Sequence, residues 1–212
     1  MLVKNVMSKN PVVISPESSI TDAKALMNKK NIGKLPVIDK NNNLVGILTK
    51  KDLAKAAPSE ATTLDMFEIG YLLSKISVEQ VMTKNVVTVP DTEVVENAAK
   101  VMVDNEIGCV PVMSGSVLVG IITESDLFEL FTDMFGSRED GVRFILTLDD
   151  KPGQVAKLVD EIAKYNGNLI SLVTRELKET GKRRLTVKVS GFDESQLKEI
   201  LSKLEMTADD IR

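Results

Sequence analysis

Apolar residues along this chain follow two periods. Short runs rich in Val, Ile and Leu are bounded by Pro, Gly or Asn, while longer stretches bring an apolar residue back every three or four positions. The first pattern predicts strands over residues 12–14, 35–38 and 44–48. The second predicts a helix after Pro16-Glu17 that carries Ile20, Ala23, Leu26 and Met27 on one face. The polar run Asp39-Lys40-Asn41-Asn42-Asn43 turns one strand into the next. Thr49 then caps a second helix.

The same order returns downstream: a strand over 86–89, Pro90-Asp91, and a helix carrying Val94, Val95, Ala98, Val101 and Met102. The residues themselves repeat. Val3-Lys4-Asn5-Val6-Met7-Ser8-Lys9-Asn10 recurs 75 positions on as Val78-Glu79-Gln80-Val81-Met82-Thr83-Lys84-Asn85. Ile32-Gly33-Lys34-Leu35-Pro36-Val37 returns as Ile107-Gly108-Cys109-Val110-Pro111-Val112. Leu44-Val45-Gly46-Ile47-Leu48-Thr49 returns as Leu118-Val119-Gly120-Ile121-Ile122-Thr123, each followed, after two intervening residues, by Asp-Leu. The N-terminal portion is therefore a tandem duplication of a β-α-β-β-α unit, with repeats over 1–57 and 78–135. One such unit leaves a sheet face poorly covered, so two packed copies make the smallest stable core.

Residues 58–77 join the repeats, with Ala56-Ala57-Pro58-Ser59 breaking the preceding helix. Leu64, Phe67, Ile69, Tyr71, Leu72 and Leu73 follow, and Phe128, Phe131 and Phe135 close the second repeat at helical spacing. A hydrophobic seam between repeats or between subunits accounts for them, with ligand stacking as the alternative. Residues 136–141 are polar and glycine-bounded, and are expected to be a linker. Beyond them the pattern reads strand 142–148, helix to Tyr165, strand 169–175, strand 184–189, and a helix after Phe192-Asp193. Met206 to Arg212 shows little of a last strand. The order suits a small α+β sandwich.

Composition narrows the chemistry. The absence of His excludes a Ser-His-Asp triad, a Cys-His dyad and any His-bearing zinc site. One cysteine, Cys109, excludes an internal disulfide, and it reads as a small buried hydrophobe. Asp149-Asp150 reads as turn and cap, with no metal site expected. Against 31 acidic residues stand 27 basic ones, a net charge of −4 that gives no general pull toward nucleic acid or a membrane surface. No apolar run of membrane-spanning length and no signal peptide is visible, so a cytoplasmic, non-enzymatic protein is expected.

Thr49-x-x-Asp52 and Thr123-x-x-Asp126 admit two readings. In one they are capping boxes. In the other the same helix tips bind: free N–H groups face a phosphate, and the carboxylate accepts hydrogen bonds from a ribose diol. Lys34, Lys50 and Lys51 flank the first tip, whereas Cys109, Glu124 and Ser125 hold the matching places in the second. An anion would therefore be favoured at the first tip and repelled by Glu124 at the second.

The paired Gly-Ile-Leu/Ile-Thr-x-x-Asp-Leu pattern, with its upstream apolar-Pro-apolar triplet, resembles the CBS domain family over residues 3–53 and 78–127. That resemblance implies a tandem pair with regulatory sites for adenosine-containing ligands such as AMP, ADP, ATP or S-adenosylmethionine. It also implies an apolar adenine slot: Val87 and Ile107 would serve the Thr49/Asp52 site, and Val12 and Ile32 the weaker Thr123/Asp126 site. Each of these four is equally at home in the core. Residues 142–212, with Asp150-Lys151-Pro152-Gly153 and Gly167-Asn168, resemble an ACT domain of ferredoxin-like fold. That implies side-by-side pairing, with Gly153 and Asn168 contacting an amino acid. Both can instead be turn residues. The combination looks like the acetoin-utilisation regulatory proteins.

The expected protein is thus α+β, a pseudo-twofold CBS pair plus an ACT-like module. It would be a homodimeric sensor of an adenine nucleotide that needs no cofactor and acts on a protein partner the residues do not identify. A constitutive oligomerisation scaffold with vestigial slots and an S-adenosylmethionine sensor are the alternatives.

Overall fold

The computed structural model describes residues 1–56, 65–178 and 180–212. The expected helix break at Ala57-Pro58-Ser59, and Leu64, lie outside the described residues. The chain forms two compact units, Met1–Leu127 and Phe128–Arg212.

In the first unit a 3-10 turn, Val3–Asn5, leads to β1 (Ser8–Lys9), α1 (Ile20–Lys30), β2 (Lys34–Ile38), β3 (Leu44–Thr49) and α2 (Lys50–Ala56). Then come α3 (Met66–Lys75), α4 (Val78–Val81), β4 (Val89–Pro90), α5 (Val95–Asp104), β5 (Cys109–Ser114), β6 (Val117–Thr123) and α6 (Glu124–Met134). Helix α1 begins at Ser19, whose hydroxyl accepts from the Asp22 amide at 3.1 Å, and ends at Asn31 in the left-handed region. The strand expected over 12–14 shrinks to an Ile14 bridge with Val37, because Pro11 and Pro16 supply no backbone donors on either side.

The two hairpins, β2–β3 and β5–β6, are the matching halves of the duplication, and each is completed by a segment of the other repeat. Residues Ser8 and Lys9 pair with Ile121 and Gly120. The Val3 amide donates to the Glu93 carbonyl at 2.8 Å. Reciprocally, Ile47 and Thr83 exchange backbone bonds of 3.0 and 2.9 Å, and the Val78 amide donates to the Ser18 carbonyl at 2.8 Å. Val78 accordingly sits in the first repeat's core with Ile14, Ala23, Met27, Leu35, Val37 and Leu48. Each repeat thus lends a segment to the other, and the first repeat's core is completed by Val78 of the second.

In the second unit β7 (Val142–Asp149), α7 (Gln154–Lys164), β8 (Asn168–Leu177), β9 (Lys182–Ser190), α8 (Glu194–Lys203) and β10 (Ala208–Ile211) form an antiparallel sheet in the order β10-β7-β9-β8. This is the ferredoxin-like arrangement. Phe144, Leu146, Leu185, Val187 and Val189 of the sheet meet Leu158, Ile162, Leu197 and Leu201 of the helices in one core. The last strand, faint in the sequence, is present: Asp210 pairs with Arg143 at 3.3 Å, and the Thr147 hydroxyl donates to Asp209 at 2.6 Å. Residues 136–141, expected as a linker, lie against the sheet. The Lys188 ammonium donates to the Gly136 carbonyl at 2.8 Å and also to that of Glu139.

Of the expected aromatic seam, Phe67, Phe128 and Phe131 are 89%, 70% and 58% exposed, and the Phe131 and Phe135 rings lie 4.6 Å apart. Among the described residues, no helix is long and apolar enough to cross a membrane, and no cluster of acidic or thiol groups could hold a metal ion.

Candidate functional site between the repeats

The junction of β3 and α2 places Thr49 and Asp52 as a reciprocal cap. The Thr49 amide and hydroxyl both donate to Asp52 Oδ2, at 2.9 and 2.6 Å, and the Asp52 amide donates back to the Thr49 hydroxyl at 3.3 Å. At the β6–α6 junction Thr123 does the same to Asp126 Oδ2, at 2.7 Å for each donor. Both sites therefore keep one carboxylate oxygen out of the cap. At Asp126 that oxygen, Oδ1, takes a long bond of 3.4 Å from the Ser8 hydroxyl. At Asp52 the corresponding oxygen takes none from the described residues. Cap and ligand readings are thus compatible, since capping occupies only one of the two oxygens.

The three lysines separate. Lys34 is the cross-strand partner of Thr49, and its Nζ reaches into the other repeat to donate to the Gly108 carbonyl at 2.7 Å. Lys50 lays its stem against Gly33, with its Cδ 3.6 Å from where a Cβ would stand. It also lines a 290 Å³ hollow with Ile20, Met27, Leu53 and Leu73 of α1, α2 and α3. Lys51 is exposed on the first turn of α2. In the second repeat Glu124 takes the place of Lys50, its Oε2 2.7 Å from the Cβ position of Gly108.

An apolar floor of Ile47 from the first repeat and Cys109 and Ile121 from the second joins the two, with Val86 packed on it. Burial pushes the Cys109 thiol up to about 11; Lys34 opposes the shift, while Glu124 and Asp52 add to it. Val12, Ile32, Val87 and Ile107 are all half-buried. Val12 and Ile32 pack on the first repeat's core. Val86 rather than Val87 reaches the floor; an alternating apolar pair gives no sign of which member faces inward. A 610 Å³ cleft opens where Asn43 and Leu44 face Lys84, Val86, Thr88 and Pro90. Sequence reasoning missed this wall because the residues are widely separated along the chain.

In the second unit Gly153 stands before α7 with φ +86°, a conformation that suits glycine. It borders a 450 Å³ hollow with Asp150, Thr174 and Arg183. There the Arg183 guanidinium makes two 2.9 Å bonds to the Asp150 carboxylate, and the residue went unnoticed in the sequence. Asn168 opens β8 opposite Ser190, past the other end of α7. With eleven helical residues, about 16 Å of axis, between them, the two do not converge in one chain.

Comparison with known proteins follows the same division. The family model of the CBS domain matches residues 3–59 and 78–133. The L-aspartate semialdehyde sulfurtransferase of Methanocaldococcus jannaschii is 35% identical over 131 residues, covering 61% of this chain but only 23% of that enzyme. The CBS domain pair of protein MJ0100, in complex with 5-methylthioadenosine and S-adenosyl-L-methionine, is 34% identical with a TM-score of 0.53, covering 66% of this chain and 98% of that one. CBSX2 in complex with AMP is 29% identical with a TM-score of 0.50, covering 61% and 95%. AcuB from Vibrio cholerae is 29% identical with a TM-score of 0.54, covering 66% and 98%. Duplicated sequence, exchanged segments and matched caps agree with these likenesses: the chain belongs to the CBS domain family and carries the domain as a tandem pair.

Proposed function

We propose that this protein is a non-catalytic regulatory sensor that binds an adenine nucleotide between its CBS repeats. The observation that carries the reading is the Asp52 carboxylate. One of its oxygens is held by Thr49, the other is open to a ribose hydroxyl, and Lys34 stands across the strand for an anionic tail. Lys51 would add to the attraction from the rim, and Lys50 is held closer to the α1–α2 hollow. The Thr123/Asp126 site is the weaker one for a phosphate, since Glu124 lies beside it and Ser8 already meets Asp126. Val12, Ile32, Val87 and Ile107 would contribute to the apolar slots, with the Ile47–Cys109–Ile121 floor beneath. The adenosine ligands of MJ0100 and the AMP of CBSX2 support the ligand class.

Residues 142–212 would act as an ACT-like module. It would pair with a second copy, so that Gly153 of one subunit and Asn168 of the other could share an amino acid. The exposed Phe128 and Phe131 would be covered in the same homodimer. Ligand binding would favour one packing of the repeats and so alter a surface read by a partner protein in the cytoplasm. An S-adenosylmethionine-type ligand is the second reading, favoured by the likeness to the MJ0100 complex.

Thermal unfolding of the full chain with AMP, ATP, S-adenosylmethionine and a panel of amino acids tests the proposal. A ligand at a hundred times its Kd adds about 2.7 kcal/mol of stability, so the melting temperature must rise with at least one adenosine compound. A flat response to all of them would leave a constitutive scaffold.

A further inference from the structure

Lys34 and Cys109 hold the same place in the two repeats but behave oppositely. Cys109 turns into the apolar floor, whereas Lys34 crosses to the other repeat and bonds the Gly108 carbonyl. That carbonyl has a second donor, the Glu124 amide that opens α6, at 3.2 Å. Its counterpart, the Gly33 carbonyl, accepts the Lys50 amide at 3.0 Å, and the residue in Lys34's place opposite it is a buried thiol with no charge to offer. At this position the first repeat thus makes a cross-repeat tie, and the matching position of the second, a thiol, is its untied control.

The tie is made by the side chain that flanks Thr49 on the neighbouring strand. The Lys34–Gly108 bond is charged on one side only, whereas a bond to a phosphate would be charged on both, so an anionic tail would win Lys34 away from Gly108. We propose that Lys34 is the specificity-determining tail sensor of this site. An adenosine ligand without a phosphate leaves the Lys34–Gly108 tie closed, and an adenosine 5′-phosphate opens it, freeing the carbonyl at the head of α6. This rests on the adenosine reading of the Thr49/Asp52 site, and it adds that the charge of the tail, rather than occupancy alone, sets the state of the repeats.

The test compares adenosine and AMP on the full-length wild type and on Lys34→Met, which keeps the stem and removes the charge. Affinities come from calorimetry, and the amide signal of Glu124 from nuclear magnetic resonance. In the wild type AMP binds at least about tenfold tighter than adenosine, and Lys34→Met removes that preference while leaving adenosine within about twofold. AMP moves the wild-type Glu124 amide proton downfield as its competitor leaves, and adenosine does not. In Lys34→Met the Glu124 signal starts at the downfield position. If the preference survives in Lys34→Met, or both ligands move Glu124 alike in the wild type, the sensor is overturned while the ligand reading stands. If neither compound binds the wild type, both fall. A Lys34→Arg variant that keeps the AMP preference confirms that a charge, and not a particular fold defect, is being read.

Discussion

Met82 fills the space that a Cβ on Gly46 would need. Met7 does the same at Gly120, so each glycine of the duplicated Leu-Val-Gly motif receives a methionine from the exchanged segment of the other repeat. The glycines are there to admit these side chains. Gly46→Ala should therefore destabilise the protein by about 1–3 kcal/mol through overpacking. In a Met82→Ala background the same change should cost much less. A double-mutant cycle by urea unfolding reads the coupling, and simple additivity would argue that the contact carries no weight.

Cys109 makes the stability of the first unit alkali-sensitive. Its thiol, ordinarily near 9.0, is raised to about 11 chiefly by burial, so the folded state holds this proton more tightly than the unfolded chain. The associated stability, at most ~2–3 kcal/mol, is complete below pH ~9 and is lost as the pH climbs toward ~11. Cys109→Ala should flatten that part of the decline relative to wild type in urea titrations at stepped pH. The thiol should also resist alkylation at neutral pH until the protein unfolds.

Glu161 does the reverse in the second unit. Its side chain is only 4% exposed, and its carboxylate accepts from Lys164 at 2.8 Å and from Lys203 of α8. Those two bonds, Lys164 first, hold it below the usual carboxylate range. Its contribution is therefore present at neutral pH and disappears as the pH falls through the lowered value. Glu161→Gln should lower the melting temperature at pH 7, and the gap from wild type should close in acid. A gap that persists unchanged at low pH would mean that packing, not charge, is what the substitution removes.

Much of this architecture was legible because the duplication is written in residues: Gly46 and Gly120, Thr49 and Thr123, Asp52 and Asp126 stand in register, and the caps they predict are formed. The exchange of segments was not legible. Val3 and Val78 carry the same pattern, and an apolar period says that a residue is buried without saying against which repeat. Lys34 was readable as a cation near Thr49, but its reach to Gly108 depends on the packing of two hairpins. Strand β10 is only faintly written because Ala208-Asp209-Asp210-Ile211 has no apolar alternation; Arg143 and Thr147 on the neighbouring strand supply its partners.

The central claim is that adenylate is held by the carboxylate of Asp52 and much less by that of Asp126. Calorimetric titration of AMP into wild type, Asp52→Ala and Asp126→Ala measures this directly. Losing a charged hydrogen-bond acceptor at the occupied tip, about 1.5–3 kcal/mol, should weaken binding roughly tenfold or more in Asp52→Ala and leave Asp126→Ala near wild type. Equal losses in the two variants, or none in either, would contradict it.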